Sequence, residues 1–483
     1  MESTQAYRRP GGIVATLALA GTVAAVMQTL VTPLIAELPR LLGTTPSNAA
    51  WVVTVTLLVA AVCVPVSGRL GDLVGKRRML LVCSVPLVLG SVVCALSSSV
   101  LPMIVGRGLQ GMGMGMVPLG IALLRDVVPA RRLPGAIALV SASMGIGGAI
   151  GLPIAAGVAQ YADWRALFWG SAVLALVIGV LIHVMVPDVP AGAKGQRFDL
   201  AGAVGLAIGL VSLLLAASKG ADWGWGSGVT LGLFALAVVA LAVWGWWELR
   251  TRDPLIDLRT TARPRVLLTN ASSVLVGVGM YAYMLIAPQI LQFPEATGYG
   301  LGQSMLAAGL YLAPGGLMMM LISPLGGKLI GSRGPKFALV SGALVICAGY
   351  GLAQALMGST WGLMVVGIVI SSGVALAYGA MPALIMSVVP LSETAAANGF
   401  NALMRSLGTT VGAALVGVVL AQMTISVGGR TLASEAGFRV GLLIGCVVAL
   451  LSALVALAIP GMRAAGEGAE DETALEEAAG VRA

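Results

Sequence analysis

Apolar residues in this chain gather into long runs, parted by short segments of charge, glycine and proline. A membrane helix needs about 20 apolar residues, and about fourteen runs reach that length. They fall at 12–36, 49–70, 79–98, 101–123, 135–158, 165–186, 200–218, 228–247, 266–290, 303–326, 337–357, 361–385, 395–425 and 438–459. The pattern predicts an all-α integral membrane protein with 14 transmembrane helices.

The polar segments between the runs set an orientation. With the N-terminus inside, the inner segments hold 21 of the 28 Lys and Arg. The outer segments hold 5, and Arg107 and Arg405 lie within spans. Basic loops stay in the cytoplasm, so both termini are expected inside. Composition agrees with membrane: 58% of residues are hydrophobic and only 10% charged, against about 25% charged in soluble domains. The net charge of +8 does not form a basic stripe interleaved with aromatics, which argues against nucleic acid. The five cysteines all fall in apolar spans without paired spacing and read as small core residues, with neither disulfide nor metal expected. The first span is too long for a cleaved leader. Trp244, Trp246 and Trp247 read as an aromatic belt at the inner end of span 8. The segment 248–265, with Asp253 and Asp257, reads as a solvated linker. The acidic tail, with Glu467, Glu470, Asp471, Glu472, Glu476 and Glu477, reads as disordered.

One loop stands out. Residues 68–80 read Gly-Arg-Leu-Gly-Asp-Leu-Val-Gly-Lys-Arg-Arg-Met-Leu. Gly68, Gly71 and Gly75 suit a tight turn between closely packed helices. Arg69, Lys76, Arg77 and Arg78 hold the loop inside, and Asp72 is a carboxylate suited to act as a latch. The loop resembles motif A of the major facilitator superfamily. Residues 324–336 carry a weaker echo, with Gly327 matching Gly68, Gly334 matching Gly75 and Gly331 standing where Asp72 would be. An internal repeat is the signature of a transporter built from two halves. The expected division is a short N-terminal lead (1–11), a six-helix bundle at 12–186, an insert with helices 7 and 8 at 187–265, a second six-helix bundle at 266–459, and a tail at 460–483.

Span 4 carries Arg107, Gln110, Gly111 and Gly115, which resemble motif B of the same superfamily. Arg107 lies about 10 Å inside the outer boundary, where a charge is expensive and usually functional; the other reading is snorkelling to the surface. In span 5, Gly148, Pro153 and Gly157 resemble a degenerate antiporter motif, with Leu152 and Ala156 where glycines are usual. Gln28 reads either as cavity lining or as helix–helix hydrogen bonding. In span 13, Asn401 and Arg405 share a helix face. The lone histidine, His183, reads as passive or as a pH sensor.

The resemblance implies the fourteen-helix drug:proton antiporter branch: a plasma-membrane exporter of drugs or antibiotics, working as a monomer by alternating access. By resemblance, Asp72 sits at the N-terminus of helix 13, near Ala395, and Arg107 faces the central cavity. No Walker motif, metal cluster or nucleophile–base pair appears, so no cofactor is called for and an enzyme is not expected. The relatives' helix 1 aspartate is missing here, with Met27 and Thr29 at the matching positions. Either protons are handled at the edges, by Asp72, Asp126 or Glu37, or a cavity made positive by Arg107 and Arg405 favours neutral or anionic lipophilic cargo. Met112, Met114, Met116, Met318, Met319 and Met320 are expected either to form adaptable walls or to face lipid. The rivals are an uptake symporter or facilitator and a non-transporting membrane sensor.

Overall fold

The computed structural model describes residues 10–31, 34, 37–193, 195–427 and 430–460. Arg8 and Arg9, Thr32 and Pro33, and the acidic tail lie outside the described residues. The main helices are α1 (Pro10–Thr29), α2 (Pro46–Val74), α3 (Lys76–Leu96), α4 (Val100–Met112 and Met116–Val127), α5 (Leu133–Tyr161), α6 (Arg165–Met185) and α7 (Leu200–Trp223). They continue with α8 (Gly228–Arg250), α9 (Pro264–Gln292), α10 (Met305–Arg333), α11 (Pro335–Leu356), α12 (Thr360–Met386), α13 (Thr394–Gln422) and α14 (Glu435–Leu457).

Among the described residues, 13 helices are long and apolar enough to cross a membrane. The fourth expected span is broken by a 3-10 turn, Gly113–Gly115, so neither half reaches that length alone. The break has a packing cause. A methyl group added at Gly113 would meet the Cys83 carbonyl at 2.8 Å, and one at Gly115 would meet Ser67. Other corrections are local. The first span closes at Thr29 rather than 36, and a short helix, Leu38–Leu41, follows it. A small antiparallel hairpin, β1 (Thr424–Val427) and β2 (Arg430–Ala433), joins α13 to α14. No apolar pattern announced it.

The helix ends that bear the basic loops are called inner below. Helix boundaries there follow local chemistry. Gly75 breaks α2 from α3 at φ +104, and Gly334 breaks α10 from α11 at φ +84. Both are backbone conformations that favour glycine. The two echo motifs therefore make the same turn at equivalent places.

The helices before the insert and those after it have largely separate apolar cores, with Ala142 entering the second and Met386 and Ala395 entering the first. They meet along two seams, and small residues set both. At the α2–α13 seam, a methyl on Gly68 would lie 2.5 Å from the Ala395 carbonyl oxygen. At the α5–α10 seam, a methyl on Gly327 would lie 2.6 Å from Gly135 Cα. Such close approach is how helices gain van der Waals contact where lipid offers no hydrophobic drive.

The insert is not a detached linker. Leu206, Leu210 and Leu214 of α7 pack with Leu58 and Ala61 of α2 and with Phe400 and Leu403 of α13. Leu255 and Ile256 are buried in the same cluster, so the segment expected to be solvated is anchored. Trp244 is buried too, whereas Trp246 and Trp247 remain exposed, which limits the aromatic belt to two of its three members.

Candidate functional site

The inner end of the α2–α13 seam is a dense polar gate. Asp72 is fully buried. Its Oδ1 accepts from Ala395 N at 3.1 Å, and its Oδ2 accepts from Ala395 N at 3.0 Å and Ala396 N at 2.9 Å. These amides belong to the first turn of α13, whose donors have no partner within the helix. A carboxylate there also meets the positive end of the helix dipole. The loop after α6 joins in, since Ala193 N donates to the Asp72 carbonyl at 3.0 Å.

The surrounding bases are not equivalent. Lys76 pairs with Asp126 of α4 at 2.6 Å, and both are largely buried. Arg77 donates to the His183 carbonyl at 2.6 Å, so exposed His183 contributes its backbone to the gate. Arg69 is buried and lines a small cleft with Glu393, Asp257 and Ile256. Gly71 packs on Leu119, where a side chain would collide. The expectation for this loop omitted Arg125. Its Nη1 donates to Val389 O at 2.8 Å and Thr394 Oγ1 at 3.0 Å, crossing from α4 to the start of α13. A basic residue beside Asp126 at an inner helix end was the available signal.

Above this gate lies a cavity of about 200 Å³. Its walls come from α1 (Gln28, Thr29), α5 (Met144, Gly148, Leu152), α9 (Met280, Tyr283, Met284), α10 (Leu312, Gly316, Met319) and α12 (Ser371, Tyr378). Among the described residues, no charged side chain lines it. Four methionines line the wall, and of the six singled out from the sequence only Met319 is among them. Met114 and Met116 are core residues, and Met112 and Met320 face outward.

Gly148 faces open space in the cavity, and a side chain at Gly157 would also meet nothing. The tight contacts of α5 fall elsewhere. Gly147 packs on the α1 backbone, Gly145 on Met319 of α10, and Pro153 on Gly309.

Arg107 and Gln110 do not line the cavity. Arg107 is sealed among α1, α2 and α4. It donates to Met27 O at 2.9 Å, Val52 O at 3.2 Å and Gln110 Oε1 at 2.6 Å. Gln110 passes the chain on to Ser91 Oγ at 2.8 Å. Glycines explain the inward turn: at Gly111 the α2 backbone comes within 2.7 Å of an added methyl, so the long side chain finds carbonyl oxygens of neighbouring helices at hand. Asn401 likewise faces α9, bonding Asn270 Oδ1 at 2.9 Å and Ser273 Oγ at 2.6 Å. Among the described residues, Arg405 is the charge that comes nearest the cavity wall, its guanidinium 4.4 Å from the centre of the Tyr378 ring. The picture of a doubly positive cavity is therefore corrected to an uncharged one with a single masked cation behind its wall.

Comparison with known proteins accords with this geometry. Residues 17–413 match the profile of the Major Facilitator Superfamily. Multidrug resistance protein Stp of Mycobacterium tuberculosis is 28% identical over 374 residues, covering 77% of this chain and 68% of the relative. Multidrug transporter protein MdtP of Bacillus subtilis is 26% identical over 385 residues, covering 77% and 69%. The crystal structure of the human organic anion transporter MFSD10 (TETRAN) shares the fold, with a TM-score of 0.65 at 16% identity, covering 92% of this chain and 99% of that one.

Proposed function

The chain belongs to the major facilitator superfamily, and from that premise we propose that it exports drugs or antibiotics by proton antiport. It is a multi-pass membrane transporter, not an enzyme. The proposed setting is a bacterial plasma membrane with the basic loops and both termini inside, and a monomer as the working unit. The proposed moving parts are the bundles 12–186 and 266–459, with 187–265 inserted between them.

One observation carries this reading. A sealed inner gate, clasped by Asp72 on the first turn of α13, stands below an apolar, uncharged cavity shared by α1, α5, α9, α10 and α12. That is one end state of alternating access. Opening inward requires the three Asp72 hydrogen bonds and the two from Arg125 to break together, which makes the gate a two-state element. The cavity of about 200 Å³ is smaller than the roughly 300–1,000 Å³ that drug-sized ligands occupy. Cargo therefore requires the bundles to part further.

The walls favour neutral lipophilic cargo. Methionines adapt to varied shapes, while Gln28, Thr29 and Ser371 offer a few polar contacts. An anion would reach Arg405 only past the Tyr378 ring. Similarity to multidrug resistance protein Stp and multidrug transporter protein MdtP supports drugs as the proposed cargo. Asp72 and Asp126 at the inner gate are among the carboxylates available for protons, whereas α1 holds none.

The test is proton flux in proteoliposomes holding the purified protein, with candidate drugs added singly. Drug-dependent proton movement that is lost in Asp72→Asn supports antiport. Cargo movement without proton flux establishes a facilitator instead.

A further inference from the structure

Besides Asp72, two carboxylates are buried among the described residues, and both lie at the inner foot of the inserted hairpin. Asp199 is 9% exposed and Glu248 2%. Asp199 caps α7: its Oδ1 accepts from Gly202 N at 2.9 Å, and its Oδ2 accepts from Trp247 Nε1 at 2.9 Å. Glu248 Oε1 accepts from Trp244 Nε1 at 2.9 Å. Its Oε2 is buried without a hydrogen-bond partner, although the Leu255 and Ile256 amides face the carboxylate. The two acids converge, since a methyl at Gly202 would collide with oxygens of both.

Among the described residues, neither acid makes an ion pair. Among them, Asp199, at the N-terminus of α7, is the acid that meets Glu248 beside Gly202. On α8, Arg250 lies over the Trp246 ring, and Arg259 of the following segment reaches the Leu249 carbonyl at 2.6 Å. From α2 and α13 the neighbouring cluster presents Leu58, Ala61, Phe400 and Leu403. Arg69, Arg252, Asp253, Asp257 and Glu393 line the cleft bordered by Leu255 and Ile256.

Burying an unpaired charge is costly, and two carboxylates sharing one site do not both ionise readily. Asp199 accepts from two donors and caps the N-terminus of α7. Glu248 has the Trp244 donor on one oxygen, and only the facing Leu255 and Ile256 amides near the other.

We propose that Asp199 and Glu248 form a proton-binding pair, loaded from the inner side, whose occupancy sets how the inserted hairpin holds the α2–α13 seam. The mechanical link is direct. Leu255 and Ile256 are buried against the same cluster that joins α7 to α2 and α13, the two helices that Asp72 clasps. With the proton bound, the foot stays closed. When it leaves, a second buried anion appears, and the foot must open to water or gain a cation. The pair gives the transporter a proton site that its α1 lacks, and it rests on the proton antiport reading above.

Infrared difference spectroscopy on the full-length protein in lipid tests the site without transport. A protonated-carboxyl band present at neutral pH in the wild type should vanish in Glu248→Gln and titrate at altered pH in Asp199→Asn. Asparagine still caps a helix well, so the second variant keeps the hairpin folded, and a melting curve checks both. The coupling role is read from the inner-pH dependence of transport, which should flatten by threefold or more in Glu248→Gln. A band that Glu248→Gln leaves unchanged overturns the proposal, and so does a lost band with an unchanged pH profile. Absence of drug-driven proton flux in the wild type refutes antiport itself, while the infrared result still decides whether the pair binds a proton.

Discussion

Replacing Asp72 by Asn should shift the protein toward its inward-open state. The carboxylate accepts from two amides of the first turn of α13 through three contacts of 2.9–3.1 Å. Hydrogen bonds to a charged group are worth about 1.5–3 kcal/mol net, and a carboxylate at a helix N-terminus adds about 0.3–2 kcal/mol. Asparagine keeps one acceptor oxygen and loses the charge, so the closed gate should weaken by roughly 2–3 kcal/mol. At about 1.4 kcal/mol per tenfold, that is a 30- to 150-fold change in the equilibrium. An inward-open population of about 1% would rise to roughly 25–60%. Spin labels on Arg78→Cys and Arg333→Cys, both exposed positions at inner helix ends, report the separation of the two halves. The background would have its five cysteines replaced. A distance distribution that Asp72→Asn leaves unchanged refutes the latch.

Other perturbations separate gate, frame and cavity. Gly68→Ala places a methyl 2.5 Å from the Ala395 carbonyl oxygen, so it should pry open the same seam and raise the inward-open signal by tenfold or more. Arg125→Ala removes bonds to Val389 and Thr394 and should weaken the closed gate by about 1–3 kcal/mol; the same spin-label pair measures it. Arg107→Ala removes the donor to Gln110 Oε1 and to the Met27 and Val52 carbonyls, which should cost about 2–4 kcal/mol of stability, read as a lower melting temperature, while cargo affinity in the surviving fraction stays within twofold. Tyr378→Ala should unmask Arg405 and lower the KM for anionic cargo relative to neutral cargo, while also lowering the melting temperature because the ring is buried.

Apolar runs by themselves determined that this chain is a bundle of membrane helices, because a span must be apolar on every lipid-facing side and long enough to cross. Their basic flanks marked the inner ends, and the Gly68–Gly75 pattern with its echo at Gly327 and Gly334 marked a repeated turn that positive-φ glycines make in both places. Loop chemistry of that kind is local, so spacing alone reveals it. The destinations of long side chains were not local. Arg107 and Asn401 looked alike as polar residues in spans, yet each turned into its own bundle, because glycines such as Gly111 and Gly408 let neighbouring helices approach and brought acceptors within reach. Arg125 was one base among many until folding set it against the start of α13. Trp244, Leu255 and Ile256 read as interface and linker because hydropathy does not say which apolar surface faces lipid and which faces protein. Only tertiary packing decides that choice, and it put Glu248 beside Asp199, about fifty residues apart in sequence, at the foot of the same seam.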